Sequence, residues 1–268
     1  GKLARITEGL LVRKSILIAS AFVSAAAANA PAAATVVPIA VYNQVVTGST
    51  MRWVRAPGGV GGQLYTISSS SSSTPGSATV QFTFLQSVLG ALGPLSSSFS
   101  LAASSLTAAT PVLSFLAQQP LTGSFAFTYT GAAPLTIGHT TYTTGANLLS
   151  ATFTNGTIVG ARGGTSGTLS ASTGAGSIIT MASDFLDLSG ATNLDLAIGF
   201  SAMSSPFGVT NAQSALNSFR TATGGSFGSD SAALTANIPE PASWALMVTG
   251  FGALGVALRR RRKHVVTA

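Results

Sequence analysis

The chain contains no cysteine. That excludes a disulfide framework, a thiolate zinc site and a cysteine nucleophile. It is neutral about compartment, because an exported domain with an adequate core folds without disulfides. Charge is almost as scarce. Only 7% of the 268 residues are charged, where soluble proteins average about 25%. What charge exists is gathered at the ends. Lys2, Arg5, Arg13 and Lys14 stand against Glu8 at one end, and Arg259–Arg262 with Lys263 against Glu240 at the other. Between them Arg52, Arg55, Arg162 and Arg220 balance Asp184, Asp187, Asp195 and Asp230. The net charge of +7 is therefore a property of two short ends. A nucleic-acid surface needs basic residues massed on the folded domain, so nucleic acid is excluded as a partner.

What is present is apolar and hydroxylated. Hydrophobic residues make up 46%, and serine and threonine roughly a quarter, with 30 glycines besides. Disordered chains combine low hydrophobicity with high net charge, and the middle of this one has neither. The composition predicts one β-rich exported domain with polar, uncharged faces.

The ends read as addresses. Residues 10–30 place Arg13 and Lys14 before the apolar run Ile16–Val23, and small residues follow. That order predicts a secretory signal peptide over residues 1–34, handled by the export machinery and signal peptidase. Pro31 disfavours cleavage after Ala30 and leaves Ala28 and Ala34 as the sites. At the other end, residues 238–268 begin with Pro239-Glu240-Pro241, which stops any preceding element. An uncharged apolar run follows from Ala242 to Leu258, with Trp244 near its outer end. As a helix it reaches roughly 25 Å, the short end of a bilayer span. The basic residues 259–263 then hold that side in the cytoplasm.

Pro239, Glu240, Pro241, Trp244 with Ala245, Gly250, Gly252, Gly255 and the Arg259, Arg260, Arg261, Arg262 cluster together resemble a PEP-CTERM sorting signal, of the proteobacterial PEPxxWA type. The resemblance implies recognition by an exosortase, a membrane-embedded, transpeptidase-like cysteine enzyme. It also implies processing near residues 239–241 and delivery from an inner-membrane-anchored precursor to the cell surface or extracellular matrix. Family members are associated with exopolysaccharide and biofilm. Leu246 stands where the family often has methionine, and His264–Ala268 extend past the arginines. The same tail contains Gly250-Phe251-Gly252-Ala253-Leu254-Gly255, which fits the spacing of a dinucleotide-binding loop. It lies inside an apolar span and not between a strand and a helix, so no cofactor is expected.

The body, residues 35–237, reads as strands. Thr79–Phe84, Ser124–Tyr129 and Asn193–Phe200 alternate apolar and polar side chains with period two, the pattern of half-buried antiparallel strands. Asn155-Gly156, between Ser150–Thr154 and Thr157–Ala161, predicts a type I′ hairpin turn. Further strands are expected near Ile39–Val46, Met51–Arg55, Gln63–Ser68, Ser98–Ala102, His139–Thr143, Gly167–Ser172, Ser177–Ala182 and Ser218–Thr223. Short helices are expected at Leu85–Leu92 and Ala212–Asn217, and a polar loop at Ser68–Ser73. The fold class is therefore all-β, an antiparallel β-sandwich or jelly-roll-like single domain. Its edge strands lack lysine, which predicts adhesion to polymer or to further copies.

Catalytic chemistry is hard to assemble. The body has one histidine, His139, and no serine elbow; Gly163–Gly167 has the wrong spacing. A carboxylate pair drawn from Asp184, Asp187, Asp195 and Asp230 is the one route to a glycan hydrolase. Asp187, Asn193 and Asp195 are weak calcium candidates, with backbone carbonyls completing the six to eight oxygens calcium takes. Trp53, Tyr42 and Tyr65 with Arg52 and Arg55 are candidates for a carbohydrate-stacking platform. The expectation is a non-enzymatic envelope or matrix protein, with a carbohydrate-binding module or a glycan-active hydrolase as alternatives.

Overall fold

The computed structural model describes residues 36–229. These form fourteen strands: β1 Val37–Gln44, β2 Met51–Arg55, β3 Gly62–Thr66, β4 Ala78–Phe84, β5 Leu95–Ser105, β6 Thr110–Val112, β7 Phe115–Tyr129, β8 Leu135–Ile137, β9 Thr140–Tyr142, β10 Asn147–Ala161, β11 Gly167–Ser172, β12 Ile179–Ala182, β13 Leu194–Ser201 and β14 Phe219–Ser229. All pairings are antiparallel, and apart from the small β8–β9 hairpin they join into one sheet. The two sheets of a separated sandwich are not formed. Instead β1, β4, β5, β7, β10, β11, β13 and β14 pair in that order, and β14 returns to β1, closing an eight-membered hydrogen-bonded circuit. Strands β2 and β3 bridge β14 to β5 as a second path.

Closure changes the edge problem foreseen from the sequence. A ring pairs both sides of each of its strands. Among the described residues of this sheet, β6 pairs only with β7 and β12 only with β10.

Alternation sets the inside of the ring. In β5 every second residue from Leu95 to Ser105 is buried, with serine and alanine between them facing out. Tyr42, Phe82, Phe99, Phe125 and Phe227 surround Phe127, with ring centroids 4.5–5.7 Å from it. Burying such a ring stabilises by about 1.5–3 kcal/mol relative to leaving it in water.

Two sequence expectations are corrected here. Asn155-Gly156 is no hairpin: β10 runs unbroken through it, paired with β7 over its whole length. Asn155 does take positive φ, +56°, but as the extra residue of a bulge. A compensating extra residue sits on β7 between Leu121 and Gln118, so register is restored at Ile158. Flanking strands that looked long enough for a hairpin were the halves of a single 15-residue strand. The helix expected at Ala212–Asn217 is a turn, closed by the Val209–Leu216 bridge. The short helix expected at Leu85–Leu92 does form, as the 3₁₀ helix Ser87–Leu92. The glycines at 90 and 93 and Pro94 deny it an α-helical continuation.

Candidate functional site

The paired bulges leave an open groove of about 620 Å³ on the sheet, where β7, β10 and β11 meet the loop after β5. Thr107, Gln119, Asn155, Thr157, Ser172 and Ser177 bring their polar groups to it. The Thr157 hydroxyl donates to Gln119 Oε1 at 3.0 Å. Asn155 Nδ2 donates to the Gly176 carbonyl at 3.2 Å, and Ser177 Oγ to the Asn155 carbonyl at 3.3 Å. Among the described residues no titratable side chain lines the groove. It can hydrogen-bond a neutral polar ligand, but its side chains offer no proton donor or acceptor tuned for general acid–base work.

The charged residues lie elsewhere. His139 is exposed at the tip of the β8–β9 hairpin. Asp184 is exposed and structural: its Oδ2 accepts the Asn147 N–H at 2.7 Å, and its own N–H donates to the Asn147 carbonyl at 2.9 Å, fixing the start of β10. Asp187 is exposed, and its Oδ1 accepts the Ser189 N–H at 2.9 Å. The Ser189 hydroxyl, followed by that N–H, holds the Asp187 carboxyl below the usual carboxylate range. Asn193 is half-buried just before β13. Asp195 lies on the outward side of β13, opposite Ser172 and Gly228, and its Oδ1 is buried without a hydrogen-bond partner among the described residues. Among the described residues no three His, Asp or Glu side chains converge on a point where a metal could sit. Asp230 lies outside the described residues.

The stacking platform is overturned by burial. Trp53 is 0% exposed, Tyr42 1% and Tyr65 7%. Trp53 Nε1 donates to the Leu216 carbonyl at 2.9 Å, so the indole is a core residue satisfied from within. Burial pushes the Tyr42 hydroxyl's pKa up; Thr223 lies beside it without a well-formed hydrogen bond. The arginines hold a loop instead. Arg52 and Arg220 face each other across β2 and β14. Arg220 Nη1 donates to the Ser70 and Ser72 carbonyls, and Arg52 Nη1 to the Ser73 carbonyl at 3.1 Å. The serine run is therefore pinned by two guanidinium groups through its backbone. Sequence reading missed this, because carbonyl acceptors leave no mark in composition.

The sorting-signal residues, Pro239 to Arg262, and the signal-peptide residues 1–34 lie outside the described residues. Comparison with known families bears on the segment that holds the first of these. Residues 237–262 match the PEP-CTERM protein-sorting motif. The chain carries a PEP-CTERM sorting motif. This motif implies an exported precursor that transits a membrane and is processed by an exosortase. The match spans the Pro-Glu-Pro triplet, the apolar run and the arginines, all outside the body, and so speaks to destination. No curated protein and no solved structure matches the chain.

Proposed function

We propose that this protein is a non-catalytic component of the cell envelope or extracellular matrix, exported on the signal at 1–34 and released by exosortase cleavage near Pro239–Pro241. The PEP-CTERM motif at 237–262 carries the reading. The body supports it: a closed sheet whose outward residues are mostly serine, threonine, alanine and glycine suits a durable, soluble product with little charge. The test expresses the chain in a host with and without its exosortase, followed by cell fractionation and mass spectrometry of the mature C-terminus. The expected product is surface-bound or extracellular and lacks residues 242–268. An intact tail on a protein confined to the cytoplasm overturns the proposal.

The neutral groove favours a second role for the same delivered body, retention of a neutral polysaccharide. Hydroxyls and amides recognise sugar hydroxyls without needing charge. Glycan-array binding that is lost in Asn155→Ala and Thr157→Ala, with no product released, is the expected result. Unchanged binding in both variants removes the groove from consideration.

A further inference from the structure

Charge in the body is not only sparse but sorted along the strands. Arg55 pairs with Gly62, and Gly62 with Ser105, at one end of the sheet. Arg162 follows the last residue of β10 at that same end, its N–H donating to the Ser114 carbonyl at 2.9 Å. Arg52 and Arg220 flank this end on β2 and β14. All four arginines of the described residues thus occupy one half. The three described aspartates occupy the other. Asp184 is bonded to the first residue of β10, and Asp195 faces Gly228 near the last residue of β14. Asp187 lies in the loop that enters β13. Along β14, Arg220 and Gly228 are eight residues apart, about 27 Å at about 3.4 Å per residue. The Debye length in physiological salt is about 8 Å, so the two ends barely feel each other within one molecule. They act as separate, complementary surfaces.

Both ends also expose apolar side chains. At the arginine end Leu106 is 88% exposed, and Val60, Val112 and Phe115 are also exposed at that end; at the aspartate end Leu85 and Val88 are. Apolar contact rimmed by opposite charge is the composition of a protein interface.

We propose that the arginine end of one copy docks on the aspartate end of another, so that the body assembles head to tail. Such an interface is heterologous, and because the two surfaces lie at opposite ends it builds open chains of copies. The occupant is chosen by complementarity already present on this chain: four guanidinium groups, none bonded to a carboxylate among the described residues, against three carboxylates at the far end. The inference concerns the body, residues 36–229, and does not use the exosortase reading.

Because the chain has no cysteine, single probes report the contact cleanly. Leu106→Cys places a thiol at the arginine end and Ser189→Cys one at the aspartate end, both in the full chain held in non-ionic detergent. Mixing the two variants with added oxidised glutathione, which accepts the two electrons, is expected to form the mixed disulfide faster than either variant forms its own. Salt at about 0.5 M, where the Debye length is only a few ångströms, should abolish the preference. Arg162→Glu in the Leu106→Cys chain should slow mixed pairing by about two- to fivefold, the range of one exposed ion pair. Asp187→Lys in the partner should restore it. Val60→Cys repeats the measurement from a second loop, in case the first probe perturbs folding. Equal rates in all pairings overturn the proposal, as they would if micelles merely crowd the chains together. Retention on dextran sulfate without mixed pairing also overturns it, and would assign the arginine end to a polyanion.

Discussion

Two adjacent glutamines on β7 behave as opposites, and the contrast is a quantitative test of how the sheet is held at its arginine end. Gln118 is fully buried, while Gln119 is exposed at the groove. Gln118 Nε2 donates to the Thr107 carbonyl at 2.8 Å and to Ser105 Oγ at 3.0 Å, and its Oε1 accepts the Leu216 N–H at 3.1 Å. It thus ties β7 to the end of β5 and to the turn before β14. The Thr107 carbonyl also accepts the Gly61 N–H at 2.9 Å, so removing Gln118 leaves chiefly the Leu216 N–H bare. An orphaned buried donor costs about 1–3 kcal/mol. Gln118→Leu fills the space but leaves that donor, and should cost about 1–3 kcal/mol. Gln118→Ala adds a cavity and should cost about 2–4 kcal/mol. Gln119→Ala loses one exposed contact with Thr157 and should fall within about 0.5 kcal/mol of the parent. Gln118→Glu adds a pH signature. It keeps an acceptor for Leu216 but sets a carboxylate against the Thr107 carbonyl in a buried site, which raises its folded pKa. Its stability should be best at acid pH and decline as pH rises past the ordinary glutamate value of about 4.3. Urea denaturation followed by near-ultraviolet circular dichroism reads all four, through midpoint and slope. A Gln118→Leu midpoint equal to that of Gln119→Ala would refute the assignment of this amide as a buried tie.

Three further predictions follow from the packing. Tyr42→Phe removes a buried, unpartnered hydroxyl and should stabilise by up to about 1 kcal/mol in thermal unfolding. Burial raises the Tyr42 pKa in the folded state, so the parent's stability should fall as pH climbs past about 10, where the unfolded tyrosine ionises, and the variant should lose less over that range. Gly123→Ala would put a Cβ 2.4 Å from Ala103 Cβ and 2.5 Å from the Ala102 carbonyl oxygen; it should cost about 1–3 kcal/mol, whereas Gly90→Ala meets open space and should be neutral or stabilise by about 0.4–1 kcal/mol. At the β10 bulge, Asn155→Val forces a β-branched residue to φ near +56° and should cost about 1–2 kcal/mol, while Asn155→Gly should be tolerated; equal melting temperatures for the two variants would count against the bulge.

The sorting address was legible in the chain itself, because Pro239–Pro241, the apolar run and Arg259–Arg262 act in linear order and need no fold to be recognised. The all-β class was equally legible. In β5, β7 and β13, period-two alternation has one cause, a sheet with a buried side and an exposed side, and that cause acts locally. Positive φ at Asn155 was readable for the same reason, since it is a property of one residue. What that φ is used for was not. A hairpin and a bulge share the same Asn-Gly signal, and the choice fell to β7, which pairs along the whole of β10 and keeps the chain straight. Closure of the ring through β14 and β1 joins residues far apart in sequence, as do the seat of Trp53 against Leu216 and the hold of Arg220 on the serine loop. Aromatic and arginine residues carry no sign of which side of a strand will be covered by something distant. Only the tertiary structure turned a candidate sugar platform into core and placed the few charges at opposite ends, because partners separated by more than a hundred residues meet only once the circuit has closed.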